Sequence, residues 1–504
     1  MTALGTPTPA AAVPPAVPEE RGPAFTVLLA ILCLAAPGIF DSFTIFALPG
    51  ALGMHLAKTI EGSCLGLLLF WMLRHRWFPS VNLPMVLALI YLTHAFVSVM
   101  WVEDTADFYY PAKRMFRGAV AGFVCYAAIH TRRDLEHLLV ALKGLSFISA
   151  IMIMIEIHIP GWQLAKVLGR GRELAPMIQP MIQYDFVSSS SFLRARGPQG
   201  HPNYLGFYYG ITLMLTPYLW ERYRSNKARF WIAATLMLEL YALILGYVRL
   251  GVLGLMVGGA WYVFGGGVKH RMLAVGGILV AAICAYPFLP AGFVTRVTEV
   301  DEWMESDRSV ERRLSQQFES IDLALQYGGF GIGFGQYGIY FYREADGPSV
   351  EPYHMMSSFV GEKFKTSAIG AHNSFLEVLV EQGILGTLAF GGVFLTLFMG
   401  LLSSRTRNRG DPALQRLAIC FESMVLSACV MMGLLHVQEQ RILWVMVGLG
   451  SAYLSLTRHG LMLPAKLSAG PSEVESRVNE PLRLGLLALF FGLIAVLVTW
   501  LAMT

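Results

Sequence analysis

The chain has 504 residues, 55% of them hydrophobic and 14% charged, with a formal net charge of +4. That balance excludes an ordinary water-soluble protein. Apolar runs of about 17–25 residues recur along it, each long enough to cross a ~30 Å hydrocarbon core as a helix. Backbone polar groups in lipid must be satisfied internally, so the runs are helices rather than open strands.

In chain order, residues 1–24 are rich in Pro and Ala (TPTPAAAVPPAVPEERGP), cannot pack a core and are expected to form a disordered cytoplasmic N-terminus. They lack the basic start of a secretory signal, so the first span is expected to be retained. About thirteen spans follow, near 25–46, 53–73, 83–101, 115–130, 138–157, 203–220, 229–247, 250–266, 272–290, 375–402, 413–434, 440–456 and 484–502. The organisation is nine spans in 25–290, a large polar loop in 291–371, three spans in 372–456, a linker in 457–483 and a detached last helix in 484–504. Six cysteines (Cys33, Cys64, Cys125, Cys284, Cys420, Cys429) lie in or beside the spans without metal-ligand spacing and read as small buried hydrophobes.

Positive charge in short loops marks the cytoplasmic side. Alternate loops carry Arg74 and Arg76, Arg132 and Arg133, Arg222 to Arg229, Lys269 and Arg271, and Arg405 to Arg409. Between them lie acidic or nearly uncharged loops such as Trp101 to Asp107. The N-terminus is then inside, and the loop 158–202, the tight turn at Arg249 and the segment 291–374 all emerge on the exoplasmic face. The loop 158–202 breaks the charge rule with Lys166, Arg170, Arg172, Arg194 and Arg196. Such a loop suits an anionic partner; amphipathic helices whose cations meet lipid headgroups read equally well for Lys166, Arg170 and Arg172.

Three motifs carry chemistry. Arg249, in GYVRLG, sits between two apolar spans with almost no loop, where an unpaired arginine is costly; it either faces a polar cavity or snorkels to headgroups. RARGPQGHPNYLG (Arg194 to Gly206) leads into a helix at Pro202-Asn203, whose exposed first-turn amides favour anions. AHNSFLEVLVEQGILG (Ala371 to Gly386) places His372 and Asn373 at the mouth of an apolar helix, with Glu377 and Glu381 stacked at i and i+4. An imidazole titrates near ~6.5, which suits a general base at neutral pH. The plainer alternative for His372 is a histidine satisfied at a helix N-terminus. Asn373 caps the helix or orients the imidazole, and Glu377 orients His372 or binds acceptor hydroxyls. Gly328 to Gly338 lacks the strand–helix context of a nucleotide fingerprint and reads as a flexible turn. Tyr337, Tyr340, Phe341, Tyr342 and Tyr353 suit sugar stacking or packing on the membrane surface. No Asp/Glu pair is evident near an exoplasmic mouth, nor a DxD motif or His/Cys cluster, so no metal is implied.

Together the three motifs resemble the signature of the O-antigen ligase and polymerase superfamily, membrane enzymes that move lipid-linked glycans. The resemblance implies an all-α polytopic integral membrane protein of about 12–13 transmembrane helices with a large periplasmic loop, similar to GT-C glycosyltransferases. It implies a metal-independent transferase without cofactors in the bacterial inner membrane, with its active site facing the periplasm. The partners implied are a polyprenyl-pyrophosphate-linked glycan donor, a glycan or lipid acceptor and membrane lipids, with no nucleic acid. By the same resemblance His372 is the catalytic base, and Arg194, Arg249, Arg196 and Arg313 bind the donor pyrophosphate. Asn203, Asn373 and Glu377 support the site or the acceptor, and His201 stands where the family commonly has Asn. Gln317 replaces the aromatic residue usual four positions after Arg313. Transfer to a terminal acceptor (ligase) or to a second lipid-linked glycan (polymerase) fits the motifs. A transporter or flippase for lipid-linked sugars is the alternative from another class, although no internal repeat is visible.

Overall fold

The computed structural model describes residues 25–35, 50–75, 79, 81–158, 195, 198, 201–246, 248–265, 308–344 and 370–458. These residues are helical, with connecting loops and no strand among them. The helices are α1 (Phe25–Ala35), α2 (Gly50–Arg74), α3 (Leu83–Val97), α4 (Thr105–Ala128), α5 (Arg132–His158), α6 (Pro202–Thr212) and α7 (Leu215–Arg222). They continue as α8 (Asn226–Leu245), α9 (Arg249–Gly265), α10 (Arg308–Tyr327), α11 (Tyr337–Glu344), α12 (Ser374–Arg407), α13 (Pro412–Met432) and α14 (Arg441–Arg458).

Local chemistry sets several starts. Asn82, Asp104, Ser225 and Asp411 accept first-turn amides with their side chains, satisfying donors that helix geometry leaves open. Five helical segments among the described residues are long and apolar enough to cross a membrane: Leu83–Met100, Arg132–Ile155, Asn226–Leu245, Ser374–Arg407 and Pro412–Met432. The protein is thus an all-α polytopic membrane protein. The runs near 272–290 and 484–502 lie outside the described residues. The run near 203–220 forms α6 and α7, which meet at Leu213–Met214 with the backbone still in the right-handed helical region.

Small residues allow the close helix contacts that membrane bundles need in place of a hydrophobic driving force. On α4, a Cβ at Gly122 would stand 2.4 Å from Trp444 O of α14, and one at Gly448 would stand 2.1 Å from Gly122 O. Between α6 and α9, a Cβ at Gly251 would lie 2.8 Å from Gly206 Cα. The sequence motifs around Gly206 and Gly251 are therefore packed on each other. Cys33, Cys64, Cys125 and Cys420 are buried free thiols, as expected of small hydrophobes.

The bundle also buries an ion pair. Lys143 of α5 meets Glu239 of α8, and both side chains are almost fully enclosed. Lys143 Nζ also donates to Thr216 Oγ1 at 2.7 Å, and Ser146 Oγ donates to Glu239. Removing one partner of such a pair costs ~3–5 kcal/mol, whereas replacing both by apolar residues is often neutral. Lys143→Met should lower the detergent-unfolding midpoint sharply, and the double variant Lys143→Met/Glu239→Leu should recover most of the loss.

Candidate functional site

Helix α12 starts at Ser374 because Asn373 caps it, its Oδ1 accepting from Phe375 N at 3.0 Å and Leu376 N at 3.2 Å. His372, just before the cap, has φ = +50°, the one positive φ at a non-glycine residue among those described. A side chain is held in that region only where the surroundings over-determine it, and such strain concentrates at functional sites. Here the neighbours are bolted down. Ala371 N donates to Glu377 Oε2 at 3.0 Å, and Gln317 Nε2 of α10 donates to His372 O at 3.4 Å. Ser374 Oγ donates to Leu435 O at 2.7 Å and accepts from Val437 N at 2.9 Å, tying the turn to the loop between α13 and α14.

Two turns further on, α12 is interrupted at Gly383 (φ = +64°, ψ = −165°). The interruption frees carbonyls that the glycine loop takes up: Ile332 N donates to Val380 O at 3.0 Å and Gly333 N to Glu381 O at 2.8 Å. Gly331, Gly333 and Gly335 all have positive φ, and a Cβ on Gly331 would stand 2.4 Å from Glu381 O. The loop 328–338 is thus not a free turn but a docked segment that completes the hydrogen bonding of a broken helix. Glu381 Oε1 accepts from Tyr337 N at 3.2 Å, which anchors α11 to the same place. Tyr337 and Phe341 are buried against α10 and α12 and pack rather than face a sugar; Tyr353 lies outside the described residues.

His372 opens on a cavity of about 240 Å³. Helix α4 lends it Asp107 and Arg114; the start of α6 lends His201, Asn203 and Tyr204. Glu377 and Glu381 enter from α12, and His436, Gln438 and Glu439 from the loop after α13. The rings of His372 and His436 are 5.8 Å apart, and His436 Nε2 shares a 2.9 Å hydrogen bond with Tyr204 Oη. Burial, aided by the positive charge of Arg114, pulls the His436 imidazole down to about 4, so it is neutral at neutral pH. Arg114 Nη1 lies 3.3 Å from Glu439 Oε2. Burial raises the Glu439 carboxyl above its ordinary range, and Arg114 offsets this only in part. Gln438 Nε2 donates to Glu377 Oε1 at 3.1 Å and to Glu381 Oε2 at 3.4 Å, while Tyr91 Oη donates to Gln438 Oε1 at 3.2 Å.

Arg114 also lines a second cleft, of about 260 Å³. One end is cationic, with Arg114, Arg117 and Arg441; the rest is mostly apolar, with Leu142, Leu145, Ile148 and Met152 of α5 and Ile442 and Val445 of α14, beside Ser149 and Tyr208. Glu61 is shared by two of these cations: Arg117 holds it in a fork of 2.8 and 3.1 Å, and Arg441 Nη2 donates to it as well. Arg441 Nη1 is buried without a hydrogen-bond partner among the described residues. Three guanidiniums against Glu61 and Glu439 leave the end net positive, above an apolar trough.

Of the residues singled out in the sequence, His372, Asn203, Glu377 and His201 line the first cavity together. Asn373 caps α12. His201 is occupied in capping α6, its Nδ1 accepting from Asn203 N at 3.1 Å. Glu377 pins the turn at Ala371 and bridges to Gln438. Arg249 opens α9 beside Val248, against which Gly206 of the first motif packs, and Arg313 lies on α10; neither lines the two cavities. Arg194 and Arg196 lie outside the described residues. Their neighbour Ala195 donates its N–H to Leu245 O at 3.1 Å, and Pro198 lines the second cleft. Carboxylates do gather at the site, against the reading of the sequence: Glu377, Glu381, Glu439 and Asp107 share one cavity. They come from three separate stretches of chain, which a search for neighbouring pairs cannot join. Among the described residues no group of three or more His, Cys, Asp or Glu is arranged to hold a metal ion. Arg114, His436 and Glu439 were missed as site residues. The available signal was charge within or beside apolar spans: Arg114 at the mouth of the run 115–130, and HVQEQ (His436 to Gln440) in the short turn before α14.

Residues 232–391 match the family model described as O-antigen ligase. The matched stretch is about a third of the chain and holds Arg249, Arg313 and His372. No curated protein matches the chain. The all-helical membrane architecture of the described residues and the three motifs agree with this match, so the chain is similar to the O-antigen ligase family over residues 232–391.

Proposed function

We propose that the protein moves a glycan from a polyprenyl-pyrophosphate carrier to a hydroxyl acceptor at the periplasmic face of the bacterial inner membrane, as a ligase. The observation that carries this reading is Arg114 lining both cavities, one holding His372 and one joining a cationic end to an apolar trough. The trough suits a polyprenyl chain, and the arginines suit its pyrophosphate, which guanidinium forks grip without losing charge.

In this mechanism His372 takes the proton from the acceptor hydroxyl as its oxygen attacks the anomeric carbon. The bond from that carbon to the pyrophosphate oxygen breaks, and its electron pair leaves with the pyrophosphate. Arg114 and Arg441 stabilise the growing charge; Arg194 and Arg196 are further donor contacts, and Arg249 and Arg313, which line neither cavity, are assigned to the donor by the family resemblance alone. A single displacement inverts the anomeric carbon. The carboxylates around Glu377 and Gln438 are placed to receive acceptor hydroxyls. Neutralisation of the leaving group by arginines makes a metal unnecessary.

Purified protein in nanodiscs, given a defined lipid-linked donor and a lipid-core acceptor, should form the joined product with or without chelator. Absence of product with both substrates bound would overturn the reading, and loss with chelator would overturn metal independence. In a deletion strain, accumulation of full-length lipid-linked polymer identifies a ligase, and accumulation of single repeat units identifies a polymerase instead.

A further inference from the structure

Helix α10 turns an apolar stripe away from the protein, unlike a helix that faces water. Its protein side mixes buried polar groups with Leu323: Gln316 and Ser320 are 0% exposed, and Ser320 Oγ shares a 2.6 Å hydrogen bond with Tyr337 Oη. Its outward side is apolar. Leu314, Phe318, Ile321 and Leu325 follow one another at helical spacing in a single stripe, with Phe318 65% and Leu325 82% exposed. Asp322 and Gln326, also exposed, bound the stripe on one flank. A contiguous apolar stripe facing water marks an interaction surface.

The occupant follows from what the stripe joins. Beyond Tyr327 the chain reaches Phe330, which is 78% exposed, and Gly329 O accepts from Ile384 N at 3.4 Å. Ile384, with Leu385 and Leu388, belongs to the exposed apolar residues of α12, a helix long and apolar enough to span the membrane. Exposed apolar residues on a spanning helix face lipid, so the stripe continues the lipid-facing surface of the bundle.

We propose that α10 lies along the headgroup–acyl boundary of the leaflet nearest the site, with the stripe Leu314 to Leu325 seated among phospholipid acyl chains. The bilayer thereby holds the helix whose polar side, through Gln317, supports the His372 turn. The seat needs a membrane but not the glycosyl-transfer chemistry, so either can fail alone.

The test uses full-length protein in nanodiscs of phosphatidylethanolamine and phosphatidylglycerol. Phe318→Cys and Asp322→Cys are each labelled with an environment-sensitive NBD fluorophore, and the signal of equally treated unsubstituted protein is subtracted. At position 318 the emission should shift to the blue, aqueous iodide should lose its quenching, and lipids brominated high on the acyl chain should quench. At 322 iodide should quench. Equal iodide quenching at both positions would overturn the proposal. Protection at 318 without bromolipid quenching would overturn it too, by showing cover from another segment of the chain. A disulfide-linked dimer through position 318 would instead assign the stripe to a second copy. Should Phe318→Cys fail to fold, Leu325→Cys at the other end of the stripe decides by the same readings.

Discussion

His372→Ala should insert, extract and bind lipid-linked donor normally, yet transfer glycan ~10²- to 10⁴-fold more slowly, the usual loss on removing a general base. A merely structural role at the helix mouth predicts a different outcome, because the cap of α12 is made by Asn373 and survives the substitution. The left-handed backbone at His372 sharpens the contrast. Histidine enters that conformation more readily than alanine, so His372→Ala carries a modest folding cost, whereas His372→Gly loses the imidazole without backbone strain. In the unsubstituted protein the rate should fall as pH drops through the imidazole range, since a protonated base cannot accept the hydroxyl proton. His436 does not supply that limb, because burial and Arg114 hold it down to about 4. Between neutral pH and that value His436 is already neutral and stays so. His436→Gln should therefore keep the acid limb while lowering the plateau, and a pH–rate profile of both variants reads this directly. Near wild-type transfer by His372→Ala at neutral pH would sink the mechanism.

Arg114→Gln should cost ~10²- to 10³-fold in transfer, the loss typical of removing one preorganised donor to a developing negative charge. Arg114 touches both cavities, so in the proposed mechanism its removal strikes the donor where its lipid and reacting ends meet. It also leaves Glu439 without its partner at 3.3 Å, and the loss of stability that follows is separable. The double variant Arg114→Gln/Glu439→Gln should regain folding but not transfer. Arg114→Lys keeps the charge without the planar fork and should rescue only a small part of the activity. Donor affinity should fall in each variant, with acceptor affinity unchanged. Normal donor affinity in Arg114→Gln would assign Arg114 to holding Glu439 and move the donor site to the motif arginines.

The helical membrane class and the family resemblance were legible in the sequence, because both rest on local patterns. A run of apolar residues reports its lipid environment whatever packs beside it, and the motifs at 194–206, 246–251 and 371–386 keep their spacing along the chain. His372, Asn373 and Glu377 could be named for the same reason: a cap, an imidazole beside it and an i,i+4 carboxylate are short-range relations on one helix. The break at Gly383 left less trace. A glycine in an apolar helix is ordinary, and only the loop 328–338 docking on the freed carbonyls shows why it is there. The cavity itself was decided by tertiary structure. Arg114, Tyr204, His372 and His436 come from four stretches of chain, and which charged residue of a span turns inward depends on how the helices rotate and pack. The same holds for α10: only the packed structure shows that Gln316 and Ser320 turn toward protein while Leu314, Phe318, Ile321 and Leu325 turn out. Hydropathy measures how much apolar surface a helix carries; the fold decides where that surface points.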